Sequence, residues 1–506
     1  MGMFVRKLTH KNGISYIQVV DKSSGRYQVL KSFGGSRDPK VIDQLYRNAR
    51  EWIRKKQGIM ELDFTSEKEL VQNYLDRIEQ LRLVGLELLL GRLFDQIGFN
   101  QIDDPIFKQL VLYRIAFPKS KLKTTEYLYR YQGLSWGEDQ LYRYLDKLYY
   151  HQKSQVERIS FTHSRRILGG QITIVFYDVT TLHFAIDRED EWRKTGFSKE
   201  GKHQRPQLVL GLLVSEGGYP LAYDVFPGNT FEGHTLLGVL ERFKKTYKLE
   251  QLVIVADAGM LSNANLEQLE AKGYEFIVGA RVKNESNPIK KKIQALSLRD
   301  GQYQIIGKDD YRLIVTYSKQ RAAKDAHNRR KGLKRLEKQI KSGRLTKSSI
   351  NNRGYNKYLK LTGEVNVEID YEKFERDAKW DGLKGYVTNS GMDKEQLVAN
   401  YKELWQIEKA FKVSKSELKI RPIYHRLPRR IHAHICISFV AYKVYKELER
   451  CLKQKKASIS AQKAIEIAEN IFEITIQSPI TKEKISKTLL LTDEQKYLAE
   501  LFEFGC

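Results

Sequence analysis

Residues 171–184 read QITIVFYDVTTLHF, an apolar run that ends in a polar cluster around Asp178. A second run of this kind, residues 249–259, reads LEQLVIVADAG and carries Asp257 near its end. Short continuous apolar runs are typical of strands that are buried on both faces of a sheet. Two strands and a helix are predicted between the runs, and a helix and a strand after them. This order predicts a mixed α/β sheet with an aspartate at the end of two buried strands.

A third segment, residues 401–415, reads YKELWQIEKAFKVSK and has helical spacing. Tyr401, Glu408 and Lys415 follow one another at intervals of seven, so one helix would place them on one face. The neighbouring face carries an apolar stripe of Leu404, Ile407, Phe411 and Leu418. Such a stripe anchors a helix to a core, and Trp405 is expected to pack there as well. A carboxylate beside a buried stripe indicates a functional site.

Asp178, Asp257 and Glu408 together form a candidate carboxylate triad. Hard divalent cations prefer oxygen ligands and keep positions open for water and substrate phosphate. Two such ions, about 3.5–4 Å apart, can support in-line phosphoryl displacement. A single aspartate after a strand is more often a helix cap or a turn former, so the prediction depends on all three residues.

A phosphatase that forms an aspartyl-phosphate on Asp178 is a second enzymatic interpretation. Such sites usually carry another aspartate two residues further on, where this chain has Thr180. That interpretation also leaves Glu408 and the net charge without a role, and we regard it as the weaker one.

Composition and charge favour a polyanionic partner. The 506 residues carry a formal net charge of +26 and have a pI of about 9.6, and 41% are hydrophobic. A folded chain with so large a positive excess indicates binding to nucleic acid, with an anionic membrane surface as the alternative. We find no apolar run of about 18 residues and no signal-peptide pattern. Three widely spaced cysteines predict neither a disulfide framework nor a zinc cluster, but a reduced, cytoplasmic protein.

Changes in sequence texture divide the chain into six predicted regions. They are a small β-meander (1–37), a helical, DNA-binding region (38–165), the first part of an α/β core (166–282), a β-rich insertion with a basic helical arm (283–384), the second part of the core with the Glu408 helix (385–450), and a C-terminal helical region that could mediate dimerisation (451–506). Residues 319–347 hold 12 Lys and Arg against 2 Asp and Glu. We interpret this segment as a charged helical hairpin, either a solvated excursion or an arm that contacts DNA.

Basic residues near the three carboxylates are candidates for DNA binding. The predicted DNA-binding residues are Lys202, His203, Arg205, Tyr401, Lys412, Lys415, Arg421, Arg426, Arg429 and Arg430. Arginine forks match phosphate oxygens, whereas the loop that carries Lys202 could equally be only a return to the next strand. His432 and His434 lack the further ligands that a zinc site needs.

The three segments resemble, in order, the conserved blocks of bacterial insertion-sequence transposases of the DDE class, within the insertion-sequence four superfamily. Residues YDVTTLHF, VADAGM and YKELWQIEKAFKVSK carry the resemblance, which covers roughly residues 165–450. Asp178 and Asp257 are 79 residues apart, and 151 residues separate Asp257 from Glu408. The last family block contains an arginine where this chain has Leu404, which removes one DNA-contacting cation.

The resemblance implies an RNase H-like core, interrupted by a β-rich insertion, in which Asp178, Asp257 and Glu408 hold two Mg²⁺ ions that Mn²⁺ can replace. It implies an endonuclease and strand-transfer activity that cleaves the ends of an insertion sequence and joins the 3′-hydroxyls to target DNA. Implied partners are double-stranded DNA, as terminal inverted repeats and target, and a second copy of the chain in a synaptic complex. The implied location is the bacterial nucleoid. A catalytically inactive element-derived protein that only binds DNA is the alternative.

Overall fold

The computed structural model describes residues 2–57, 66–198, 201, 204–257, 263–308, 311–343, 345, 349–351, 354–362, 366–478 and 481–504. The chain divides into two compact units, which are described separately. One comprises residues 1–80 and 474–487, and the other comprises residues 81–473 and 488–506. No helix among the described residues is both long and apolar enough to cross a membrane.

The first unit begins with an antiparallel sheet of three strands. These are β1 (Phe4–Thr9), β2 (Ser15–Asp21) and β3 (Gln28–Ser36), with β2 in the centre. Gly13 and Gly25 make the two turns with φ near 79° and 78°, a backbone region that favours glycine. Helix α1 (Pro39–Gln57) covers the sheet by burying Ile42, Ala49 and Ile53 against β2. Helix α2 (Ser66–Leu75) and strand β4 (Ile78–Leu83) follow.

The second unit opens with a group of short helices. They are α3 (Arg92–Ile97), α4 (Pro105–Ala116), α5 (Lys121–Gln132), α6 (Glu138–Lys147) and α7 (Lys153–Ile167). Local signals set their ends. At the start of α4, the Asp104 side chain accepts a hydrogen bond from the Ile106 amide, and Pro105 is the first helical residue. At the end of α5, Gly133 adopts a φ of 70°. These helices bury one shared apolar core.

The central feature of the second unit is a mixed sheet with helical connections. Its first elements are β5 (Ile174–His183), β6 (Gln207–Ser215), β7 (Pro220–Pro227), α8 (Leu236–Tyr247), β8 (Val253–Ala256), α9 (Asn263–Ala271) and β9 (Glu275–Ala280). β5 pairs with β6 antiparallel and with β8 parallel, and β8 pairs with β9 parallel. Apolar side chains cover both faces of the sheet, as the continuous apolar runs predict. The prediction of a mixed α/β fold is confirmed.

The region after β9 extends this sheet. It contains α10 (Asn287–Gln294), β10 (Tyr303–Lys308), β11 (Tyr311–Tyr317), α11 (Lys319–Lys341), β12 (Leu359–Thr362), β13 (Asn366–Ile369), α12 (Tyr371–Ala378) and β14 (Leu383–Thr388). The sheet has eight strands in the order β10-β11-β14-β9-β8-β5-β6-β7, so two strands from inside the predicted insertion belong to the main sheet. The 23 residues of α11 form one continuous helix, which replaces the predicted hairpin in this part of the segment.

The chain ends in helices and a small sheet. These elements are α13 (Lys394–Lys402), α14 (Trp405–Ser416), α15 (Pro428–Gln454), α16 (Ala461–Ala468), β15 (Phe472–Gln477), β16 (Lys484–Leu489) and α17 (Asp493–Phe502). Strands β4, β15 and β16 form a sheet of order β16-β15-β4. Helix α15 is buried along most of its length, since it packs on α4, α6, α7 and α14.

The predicted single helix over residues 401–415 is broken. α13 ends at Lys402, and α14 begins at Trp405 after a turn. The ring of Tyr401 packs on Tyr386 of β14, with centroids 4.2 Å apart, whereas α14 packs on β5 and β6. The break allows the two helices to follow different parts of the sheet. The apolar stripe from Leu404 to Leu418 is buried as predicted.

Candidate active site

Asp178 and Asp257 lie on neighbouring parallel strands. Tyr177 of β5 is paired with Ala256, the last residue of β8, and in each chain segment the next residue is an aspartate. Neighbouring strands are about 4.8 Å apart. Asp178 is half-buried, and its Oδ1 accepts from the Val179 amide at 2.8 Å, whereas Asp257 is exposed. The register therefore brings together two carboxylates that are 79 residues apart in sequence.

Glu408 is carried to the same region by α14. Ile407 and Phe411 of this helix are buried, and Glu408 is on its exposed side. Because α14 packs on β5, the strand that carries Asp178, burial of the apolar stripe determines where the carboxylate lies.

Tyr401 connects Glu408 with Asp257. Its side chain is only 3% exposed, and its hydroxyl donates to Oδ1 of Asp257 over a long 3.4 Å. Burial raises the pKa of Tyr401, and the negative charges of Asp257 and Glu408 raise this pKa further. The charges of both carboxylates thus influence one phenol group.

Lys384 of β14 is also next to the two carboxylates. Its Nζ lies 4.6 Å from the centre of the Tyr401 ring. Burial lowers the pKa of Lys384 and the positive charge of Arg321 lowers it further, whereas Asp257 and Glu408 raise it. Lys384 was not predicted as a site residue. A lysine on an interior strand of the sheet would have been a signal for a site residue. The sequence does not show that β14 is an interior strand, so this signal could not be used.

The donor chemistry of Asp178, Asp257 and Glu408 suits Mg²⁺, because all three supply hard oxygen ligands. In the described part of the chain, no three His, Cys, Asp or Glu side chains are grouped closely enough to hold a metal ion. The residue types and the strand register therefore fit a divalent cation, while the side-chain positions do not by themselves form a complete ligand set.

The predicted DNA-binding residues have different environments. Lys412, Arg205 and Arg426 are exposed, while Lys415 and Arg421 are half-buried. Lys202 and His203 lie outside the described residues.

Arg429 and Arg430 form an intramolecular ion-pair cluster. Both donate to the carboxylate of Asp146 on α6, with distances of 2.9, 3.0 and 3.1 Å. These bonds hold the pKa of Asp146 below its usual value even though burial opposes the shift. The two arginines thus join α15 to α6, which gives them a structural role that sequence reasoning missed.

Trp405 is not packed in the core, contrary to our expectation. It is 49% exposed at the first position of α14, and Nζ of Lys409 lies 5.9 Å from its ring centre. The reason is helical geometry, since residues follow one another at about 100° and Trp405 therefore lies about 160° around α14 from Ile407, away from the buried stripe.

A family model described as "Transposase DDE domain" matches residues 169–443, which is more than half of the chain. The chain belongs to the DDE transposase family. The matched range contains all three carboxylates and the whole eight-stranded sheet. No curated protein matches this transposase. Among solved structures, it is similar to a piggyBac transposase in a synaptic complex with hairpin DNA, solved by cryo-EM, with a TM-score of 0.38, 10% sequence identity and coverage of 79% of each chain.

Proposed function

We propose that this DDE transposase cleaves DNA at the ends of its own insertion sequence and transfers the freed 3′-hydroxyls into target DNA, as in cut-and-paste transposition. The observation that carries the proposal is the strand register that sets Asp178 beside Asp257, together with the hydrogen bond from Tyr401 to Asp257. Asp257 and Glu408 act on the same two side chains, Tyr401 and Lys384, and Asp178 is next to Asp257 in the strand register.

Asp178, Asp257 and Glu408 would hold two divalent cations, Mg²⁺ or Mn²⁺ in its place. When bound, such a pair supplies activation of the attacking oxygen and stabilisation of the leaving oxygen in an in-line displacement. The residues of the chain orient the reaction. Tyr401 donates to Asp257 and holds that carboxylate toward Glu408, and the exposed Lys412 contacts the DNA backbone.

Several finer assignments belong to this proposal. The strand order β7-β6-β5-β8-β9, with β5, β8 and β9 parallel, supports an RNase H-like core. The sequence blocks support membership of the insertion-sequence four superfamily and a bacterial, nucleoid-associated protein. The net charge of +26 supports binding to terminal inverted repeats and target DNA. Synapsis of two ends suggests a homodimer.

The test is cleavage of duplexes taken from the DNA that flanks the coding region, in Mg²⁺. Asp178→Ala and Glu408→Gln are expected to lower the single-turnover cleavage rate by at least about a thousandfold, because each removes a charged ligand. Binding of the duplex in the absence of cleavage should change less than about threefold, since neither residue supplies positive charge to the backbone.

Glu417→Gln is the matched control. It also neutralises a glutamate of this helix region, but Glu417 is the C-cap of α14, whereas Glu408 lies in its first turn. It is expected to cleave like the wild type. Full cleavage by Glu408→Gln would remove Glu408 from the metal site. Sequence-specific binding by the wild type with no nicking in Mg²⁺ or Mn²⁺ would favour the inactive DNA-binding protein.

A further inference from the structure

A cavity of about 790 Å³ opens beside the carboxylates, between the main sheet and α11. Asp257 and Tyr401 line one part of it, and Lys384 of β14 and Arg321 of α11 line it as well. Arg321 belongs to the first turn of α11, so the long basic helix begins at the candidate active site. The cavity is therefore an extension of that site.

The cations of this cavity differ in how well their charge is compensated. Lys283 and Lys357 bind Asp377, and Arg329 binds Asp381. The charge of each of these cations is therefore compensated by a carboxylate of the protein.

Lys384 has no comparable partner within the described chain. Its half-buried amino group lies over the ring of Tyr401, and Asp257 and Glu408 act on it through space rather than through a hydrogen bond. Arg321 has only a long contact of 3.7 Å with Asp325, and its charge repels that of Lys384.

Lys384 and Arg321 repel each other and line the same cavity. An anion bound between them would offset this repulsion and accept hydrogen bonds from both side chains. We propose that Lys384 and Arg321 form a phosphate site that holds one backbone phosphate of the DNA next to the scissile bond. This inference rests on the proposed function, because the same cavity contains Asp257. The phosphate site would link α11 to catalysis by fixing the DNA strand against the carboxylates.

The experiment combines protein variants with end duplexes in which single phosphates near the cleavage site are replaced by neutral methylphosphonates. In the wild type, one such replacement is expected to lower the cleavage rate about tenfold. Lys384→Gln and Arg321→Gln should each lower the cleavage rate of unmodified DNA about tenfold. In these two variants, the methylphosphonate at that position should lower the cleavage rate little further. For Lys384→Gln, the slope of log affinity against log salt should fall by about 1.

Arg330→Gln is the matched control, because Arg330 is an exposed arginine of the same helix and does not line the cavity. It should keep the wild-type response to every methylphosphonate. Lys384→Arg should restore most of the rate, and thermal unfolding of each variant reports loss of fold. A rate for Lys384→Gln equal to that of the wild type, or a loss that adds to every methylphosphonate alike, would overturn the proposal.

Two outcomes separate this inference from the proposed function. If the wild type binds the duplex but cleaves none, the proposed function fails, and the same comparison is made on binding affinity. A second outcome is that millimolar inorganic phosphate competes with DNA at Lys384 while no single methylphosphonate changes the cleavage rate. The site then binds free phosphate, and the DNA assignment is wrong.

Discussion

At the scale of single residues, Tyr401 shows how a buried side chain can contact a candidate site residue. We expected it to contact DNA from the face of a continuous helix, but its ring is enclosed between Tyr386 and the amino group of Lys384. What reaches the site is the hydroxyl, which donates to Asp257. Direct contact of Tyr401 with DNA stays a prediction, while its position favours the orientation of Asp257.

Tyr401→Phe tests this role. Loss of one hydrogen bond to a carboxylate, long at 3.4 Å, is expected to cost about 1 kcal/mol and to slow single-turnover cleavage about fivefold. Binding of the duplex and the unfolding temperature should change little, because the ring remains. Tyr386→Phe is the control, since it removes a hydroxyl from the partner ring without touching Asp257. Equal effects of the two changes would show that Asp257 does not depend on Tyr401.

At the scale of elements, α15 holds the second unit together through buried polar contacts. Glu447 is buried, and both its oxygens accept from Arg450, at 2.5 and 2.9 Å. His163 of α7 lies 3.7 Å away, and the buried Lys443 donates to Ser160 and Ser164 of α7. A buried charge of this kind must keep its partners, so α15 and α7 are joined in one arrangement.

Glu447 predicts a dependence of stability on pH. Burial alone would raise the pKa of Glu447, but the nearby His163 and the hydrogen bonds from Arg450 outweigh it and hold that pKa at about 2. A carboxylate whose pKa is lowered by folding contributes stability above its unfolded pKa, and this contribution is lost as the pH falls from about 4.5 toward 2. Glu447→Gln should lower the free energy of unfolding by about 3 kcal/mol at pH 7 and reduce the acid dependence in this window.

Denaturant titrations of the wild type and Glu447→Gln between pH 2 and 7 provide the measurement. Glu375→Gln, which changes an exposed glutamate of α12, is the control and should leave the curve unchanged. A Glu447→Gln variant with wild-type stability at pH 7 would show that the polar contacts between α15 and α7 contribute nothing.

At the scale of the whole molecule, the excess of positive charge decides the class of partner. The 88 Lys and Arg residues exceed the 62 Asp and Glu residues, and the first turn of the basic helix α11 lines the cavity that also contains Asp257. Some of this charge is used internally, as in the contacts of Arg429 and Arg430 with Asp146. The net positive excess that is left favours a polyanionic partner.

DNA binding is expected to weaken strongly with salt. Neutralisation of 6–10 phosphates would lower the affinity by about 10³ to 10⁵ between 50 and 200 mM salt. Titrations of flanking and unrelated duplexes over this range give the slope and the specificity ratio. Vesicles with anionic lipid serve as the comparison. Tight binding to these vesicles together with an affinity for DNA that does not change with salt would favour the membrane interpretation.

The elements that carry Asp178, Asp257 and Glu408 were predictable because they depend on local patterns. Apolar runs that end in Asp178 and Asp257 specify buried strands, and the stripe beside Glu408 specifies a packed helix. These patterns are contained in segments of 10 to 15 residues, and the structure has strands and a helix there. The assignment of these carboxylates to catalysis stays a prediction.

The amino-acid sequence by itself thus determined the mixed α/β class, the three carboxylates and the basic character of the protein. Only the tertiary structure decided that the helix breaks after Lys402 and that Lys384 and Arg321 share a cavity with Asp257. The physical reason is the distance along the chain. Tyr401 meets a carboxylate 144 residues away, and such contacts depend on sheet order and packing, which no local period encodes.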